Sequence, residues 1–165
     1  MHSRLTHLLR YVAVAVLVGI CVGALFFYKT HTVEAPRAGA QLENASFGGV
    51  SLRLEFATTT EARERGLAGR QYLPNDYGML FIFKKLDRYG FWMKDTLVPL
   101  DIFWLDAQGR VLYVVQDVDP YTYPDVLYPP QPASYVLETA AGFARAHAIA
   151  TGTPLHLQKF PTVSE

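Results

Sequence analysis

Leu100-Asp101-Ile102-Phe103-Trp104-Leu105, then Asp106-Ala107-Gln108-Gly109, then Arg110-Val111-Leu112-Tyr113-Val114-Val115, reads as two strands around a tight turn. Upstream, Gly78-Met79-Leu80-Phe81-Ile82-Phe83 is a continuous apolar run between turn residues, the pattern of a strand buried on both faces. Val50-Ser51-Leu52-Arg53-Leu54-Glu55-Phe56 alternates apolar and polar residues as a half-buried strand does, and Gly48-Gly49 before it reads as a turn. Tyr89 to Lys94, Tyr135 to Glu138 and Leu155 to Gln158 are further expected strands. Some seven to nine short strands predict a mainly-β sandwich or barrel.

Two short helices accompany them. Thr58-Thr59-Thr60-Glu61 offers a capping threonine at Thr58 with an acid three residues later, which predicts a helix from about Thr60 to Leu67 ended by Gly66 or Gly69. The alanine-rich stretch from Thr139 to Ala148 predicts the second. Between Asp117 and Pro132 stand five prolines, at 120, 124, 129, 130 and 132, interleaved with Tyr121, Tyr123 and Tyr128. Prolines remove ladder donors and fix the backbone, so this segment reads as an ordered surface loop.

The 165 residues fit one domain plus an N-terminal appendage. Residues 1–10 hold Arg4 and Arg10 and no acid, and residues 11–28 (YVAVAVLVGICVGALFFY) hold no charge at all. As a helix these would span about 27 Å, close to the ~30 Å hydrocarbon core of a bilayer. The expected layout is a cytoplasmic tip at 1–10, a transmembrane anchor at 11–28, a tether at 29–41 and the folded domain at 42–160. The rival reading of 11–28, a cleaved signal sequence, asks for a shorter apolar run ending in a small-x-small site. Here the run ends in bulky Leu25-Phe26-Phe27-Tyr28. Flanking charge does not orient the span, since Arg4 and Arg10 face Lys29 and Arg37. The acid-free tip places the N-terminus inside and the domain on the periplasmic or extracytoplasmic side of an inner membrane.

From Ala38 onward there are 11 Lys or Arg against 14 Asp or Glu, so the domain is mildly acidic and lacks the basic stripe of a nucleic-acid binder. Cys21, the sole cysteine, lies within the anchor, so the chain forms no internal disulfide. His147 and His156 lack metal-ligand spacing, and Asp117, Asp119 and Asp125 lack the glycine and closing glutamate of a calcium loop. No Gly-x-Ser-x-Gly elbow occurs. Neither a metal nor an organic cofactor is expected.

Several motifs in order carry a resemblance: Glu64-Arg65-Gly66-Leu67-Ala68-Gly69-Arg70, Leu73-Pro74, Gly78-Met79-Leu80-Phe81, Phe91-Trp92-Met93-Lys94-Asp95-Thr96 and Pro99-Leu100-Asp101-Ile102. Tyr135-Val136-Leu137-Glu138, Gly142 and Ile149-Ala150-Thr151-Gly152 close the pattern. Together they resemble the bacterial and archaeal family known as domain of unknown function 192, over roughly Ala45 to Leu157. The resemblance implies a single jelly-roll-like β-sandwich, often exported or membrane-anchored, and no established activity. Ala68 stands where that family usually shows methionine, and Asp95 where it shows asparagine.

The charged and aromatic residues of Phe91 to Leu105 are the natural candidates for a site, because charges set among large apolar side chains must be paired or used. In a strand starting at Phe91, Trp92 and Lys94 share a face, giving an indole to stack on a ligand with an ammonium beside it. The plainer reading buries Trp92 and pairs Lys94 with Asp95 or Asp101. Arg65 and Arg70, around the end of the first helix, suit a carboxylate or phosphate, or else clamp loop carbonyls or an acid. Tyr123 and its neighbours offer aromatic faces with hydroxyl handles, or simply stiffen the proline loop. The expected ligand-binding set is Arg65, Trp92, Lys94, Asp101 and Tyr123, with a small molecule, saccharide or envelope component as ligand. Two further readings stand beside it: a glycan hydrolase using the paired carboxylates Asp101 and Glu138, and a scaffold that meets a membrane partner through the tyrosine loop.

Overall fold

All six residues of Leu100–Leu105 are buried, which requires apolar material on both faces of the strand they form. The protein supplies it from a single sheet. The structure, a computed structural model, describes residues 42–163. In chain order its elements are β1 (Leu42–Phe47), β2 (Val50–Ala57), α1 (Thr60–Arg65), β3 (Tyr77–Asp87), β4 (Leu100–Leu105), β5 (Val111–Val118), β6 (Ala133–Ala140), α2 (Phe143–Ala146) and β7 (Leu155–His156). The seven strands lie in the order β5-β4-β6-β3-β2-β1-β7. Every pairing is antiparallel except β2 with β3, which α1 and the chain after it connect as a parallel crossover.

The domain is mainly β with two short helices, as expected, but the two stacked sheets of a sandwich are replaced by one curled sheet resembling a half-barrel. Its two edges approach each other at one end. There Val111 N–H donates to the Thr153 carbonyl at 3.0 Å, Gly152 N–H to Val111 at 2.8 Å and Leu155 N–H to Gly109 at 2.9 Å. Curling gives the sheet two apolar faces. Leu80 and Ile82 of β3, Phe103 and Leu105 of β4 and Leu137 of β6 join Phe47, Phe143 and Leu155 on the enclosed side. Met79 and Phe81, Ile102 and Trp104, and Val136 point the other way, against Leu67, Leu73 and Met93 from the connections. The strand period of two performs this sorting. Each large side chain so buried contributes about 1.5–3 kcal/mol.

Local chemistry sets the element ends. Thr59, one residue later than expected, caps α1 by accepting from Ala62 N–H at 3.1 Å. Gly66 ends the helix at φ 48°, where only glycine is unstrained. The second helix is shorter than Thr139 to Ala148, because Thr139 and Ala140 still belong to β6. Tyr89 to Lys94 forms no strand beyond a single bridge between Phe91 and Leu127. At Gly90 a side chain would sit 2.5 Å from the Tyr128 ring, so the 126–128 segment packs onto the backbone there and prevents a continuous ladder. Leu42–Phe47 is a strand that its polar composition hides, and β7 has two residues in place of four. The anchor at 11–28 lies outside the described residues. Among the described residues no helix is long and apolar enough to cross a membrane.

Candidate functional site

Three segments close around one hollow on the outer face of the sheet. The first is the last turn of α1 with Gly66 and Leu67; the second is β3 at Phe81 and Phe83 with Glu138 of β6 beside it; the third is the irregular run from Tyr89 to Thr96. The hollow has a volume of about 240 Å³. A second hollow, of about 380 Å³, lies between β1 and the C-terminal tail, and none of its lining side chains is buried.

Each wall is fixed by its own bonds. Arg63 joins α1 to β3, donating to the carbonyls of Thr58 at 2.8 Å and Ile82 at 3.0 Å and to Thr60 Oγ1 at 3.1 Å. Its guanidinium lies 5.6 Å over the Phe83 ring. The 89–96 run is pinned by reciprocal bonds between Phe91 and Leu127 at 2.9 and 2.8 Å, and by Trp104 Nε1, which donates to the Tyr89 carbonyl at 2.8 Å. Phe91 points inward and meets the Phe81 ring edge to face at 4.8 Å. Met93 is buried, while Trp92 and Lys94 remain at the mouth, the Lys94 ammonium 5.9 Å from the indole. Asp95 turns the chain at φ 55°, a conformation that asparagine and aspartate tolerate better than most residues. Its carbonyl accepts from Gly69 N–H at 2.8 Å, so the backbone explains the residue type at this position.

Glu138 forms the floor. It is 4% exposed, flanked across the strands by Met79 and Ile102, and its carboxyl has no hydrogen-bond or ion-pair partner among the described residues. Burial alone pushes the carboxyl up to about 8, so it is largely protonated at neutral pH. The charged groups nearer the surface are Arg65, Glu64 and Lys94, all exposed.

Arg65, Trp92 and Lys94 of the expected set converge here, together with Glu138. Tyr123 does not line the hollow; its ring meets the Trp92 indole edge to face at 6.1 Å. Asp101 lies on the other face of the sheet. It is opposite Thr139, one residue from Glu138, and accepts from Asp117 N–H at 2.8 Å and Ala144 N–H at 2.7 Å. Adjacent positions on a strand point to opposite faces, so Asp101 and Glu138 share no cleft and a paired-carboxylate hydrolysis has no geometry here. Arg70 is buried against Glu55 at 2.7 Å, and Tyr77 donates to the same carboxylate at 2.6 Å. It serves packing rather than the hollow. Phe81, Phe83, Tyr89, Phe91 and Arg63 are lining residues that sequence reasoning missed. The two-residue spacing of Phe81 and Phe83 put them on one face, but an unbroken apolar run conceals which face opens.

A crystal structure of a protein of unknown function from Novosphingobium aromaticivorans DSM 12444 matches with a TM-score of 0.68 and 30% identity, covering 73% of this chain and 89% of that one. That of a proposed transcription regulator from Sinorhizobium meliloti 1021 matches with a TM-score of 0.68 and 27% identity, covering 74% and 98%. No curated protein matches the chain. Residues 43–157 match the family described as Uncharacterized ACR, so the chain belongs to the DUF192 family.

Proposed function

We propose that this DUF192 domain binds a small molecule in the hollow above Glu138, held outside the cytoplasmic membrane by the apolar segment at 11–28. One observation carries the reading: a nearly inaccessible carboxyl with no partner among the described residues faces a cavity walled by aromatic rings. Buried polar groups in folded proteins are almost always paired. An acid left unpaired beside open space is placed for a partner from outside. The sugar-sized volume and the indole at the mouth fit a compact ligand rather than a polymer segment. The test is amide chemical-shift mapping of the full chain in detergent against sugars, amino acids and aromatic acids. Shifts clustered at Gly66, Phe91 and Glu138 support the reading, and none across the set removes it. For the anchor, resistance of the full chain to alkaline extraction from membranes is the expected result.

A second reading is favoured by the tyrosine loop. Tyr121 is 94% exposed, and Val126 and Tyr128 of the same loop are exposed too, apolar surface that suits a protein partner at the membrane. Tyr121→Ser would abolish such a contact and leave cavity binding unchanged. The description of the Sinorhizobium meliloti protein does not extend readily to this chain. Its longest helix among the described residues has six residues, too short to read a major groove, and its domain is acidic.

A further inference from the structure

The hollow is chemically polarised. Its deep polar groups are, with one exception, already engaged: Arg63 makes three bonds to the protein, the Tyr89 hydroxyl donates to the Lys85 carbonyl, and Thr96 Oγ1 lies 3.4 Å from the Lys94 carbonyl. Glu138 is the exception. A sugar ring seated here would bury several hydroxyls against Phe81, Phe83 and Phe91 with one carboxyl to receive them, leaving the rest unpaired at a cost. Aromatic faces instead favour cations, and two lining rings already hold them: Arg63 over Phe83, and Lys94 beside Trp92. At the mouth neither Arg65 nor Lys94 makes an ion pair among the described residues, although Arg65 feels Glu61 one helix turn away and Asp95 adjoins Lys94 in the chain.

Building on the small-molecule reading, we infer that the ligand is a small zwitterion, its ammonium seated on Glu138 among the aromatic rings and its carboxylate or other anionic group at Arg65 and Lys94. The apolar body between the two ends packs on Phe81 and Phe91. Seating an ammonium on Glu138 favours the ionised carboxylate, so the bound complex has one proton fewer on that residue. The other titratable groups lining the hollow are Arg63, Glu64, Arg65, Tyr89 and Lys94. Arg63 and Tyr89 are engaged with the protein and the remainder are exposed, which leaves Glu138 as the source of the proton released near neutrality.

Four probes test this by calorimetry on the full chain in detergent: L-phenylalanine, with both charges; phenethylamine, with only the ammonium; phenylacetate, with only the carboxylate; and glucose, with neither. L-Phenylalanine is expected to bind most tightly, about tenfold or more ahead of either singly charged analogue. Titrations at pH 7 in buffers of differing ionisation enthalpy should show a release approaching one proton for the two amines and none for phenylacetate. Glu138→Gln, which keeps shape and neutrality, should bring L-phenylalanine down to the affinity of phenylacetate and abolish the proton release. The double variant Arg65→Gln with Lys94→Gln should weaken phenylacetate and L-phenylalanine while sparing phenethylamine. Equal affinity for L-phenylalanine and phenylacetate, an unchanged L-phenylalanine affinity in Glu138→Gln, or silence from all four probes overturns the inference. A preference for glucose or phenylacetate with shifts at Gly66 and Phe91 overturns it too, yet leaves the cavity as a binding site.

Discussion

Asp101 and Glu138 lie one residue out of register on neighbouring strands, both nearly inaccessible, yet the protein treats them in opposite ways. Asp101 faces the enclosed side, where two backbone amides meet its oxygens; one comes from Asp117 near the end of β5 and the other from Ala144 in α2. Its bonds tie a strand and a helix to the sheet. Glu138 faces the other side, and none of the described residues bonds its carboxyl. A buried acid with all its bonds made is a rivet, and a buried acid with none beside a cavity is, on the function proposed above, a receptor. What separates them is only which way a strand's side chain points.

Removing the rivet should have the largest effect. Asp101→Ala strands two N–H donors that were held by a charged acceptor, Ala144's buried and Asp117's partly so, and bonds to charged groups contribute about 1.5–3 kcal/mol each. The expected destabilisation is about 3–5 kcal/mol, read from urea unfolding, with Asp101→Asn intermediate because its amide accepts through one oxygen only. A loss below about 1 kcal/mol would erase the contrast between the two acids.

Glu138 should behave in the reverse sense, and pH exposes it. Its folded-state value of about 8 lies above the ordinary carboxylate value, so between about pH 4.5 and 8 the folded protein retains a proton that the unfolded chain has released. Its contribution to stability is complete below about pH 4.5, declines as the pH rises and is gone above 8. Glu138→Gln has no such proton to lose. The variant should match the wild type near pH 5 and exceed it by about 2–4 kcal/mol at pH 9, where the wild type must ionise a buried carboxyl. Urea midpoints for both proteins across pH 5–9 check this. Parallel profiles would mean that water already solvates Glu138.

The strands themselves were legible because their patterns are local. Val50–Phe56 alternates, Gly78–Phe83 is apolar throughout, and Arg110–Val115 returns from a turn; all three became strands. Topology and facing were not legible, because they depend on partners far along the chain. That β2 and β3 run parallel, and that Asp101 stands opposite Thr139 while Glu138 stands opposite Ile102, is decided by pairings across tens of residues. Tyr89 to Lys94 looked like a strand for a related reason: Phe91 and Met93 do face inward and Trp92 and Lys94 outward. The alternation is real, but the packing of Tyr128 and Val126 on Gly90 sustains it rather than a ladder. Arg65, Trp92 and Lys94 could be named in advance because charges and an indole among apolar residues are conspicuous. The aromatic walls could not, since a phenylalanine lining a cavity and one filling a core look alike in sequence.

Arg70 offers a third treatment of charge and a smaller effect. It pairs with Glu55, which also accepts from Tyr77, while the guanidinium lies 5.1 Å over the Tyr77 ring. The hydroxyl is held protonated, its pKa raised by burial and then by the bond to Glu55. Arg70→Met keeps the apolar stem and removes the charge, leaving Glu55 with the tyrosine alone. Since both side chains retain about a tenth of their exposure, the loss should be about 1–3 kcal/mol. Tyr77→Phe added to Arg70→Met should cost less than the sum of the single changes, because both act on one carboxylate. Strict additivity in the double-mutant cycle would separate this cluster into independent bonds.

Trp92 closes the comparison from the side of the receptor. Half of its surface is exposed, its ring rests on Tyr123 and Lys94, and Met93 beside it carries the burial that anchors the segment. Trp92→Ala should therefore lower stability by under about 1 kcal/mol, the range of exposed aromatic and cation–π contacts. Binding in the hollow should weaken by about tenfold, since the indole forms its mouth. The pairing of these numbers is what matters: Asp101→Ala should unsettle the fold and leave intrinsic affinity intact in the folded fraction, whereas Trp92→Ala should do the opposite. A Trp92→Ala protein that unfolds several degrees lower but binds any cavity probe unchanged would make the indole a structural cap, and would shift the receptor's mouth to Arg65 and Lys94 alone.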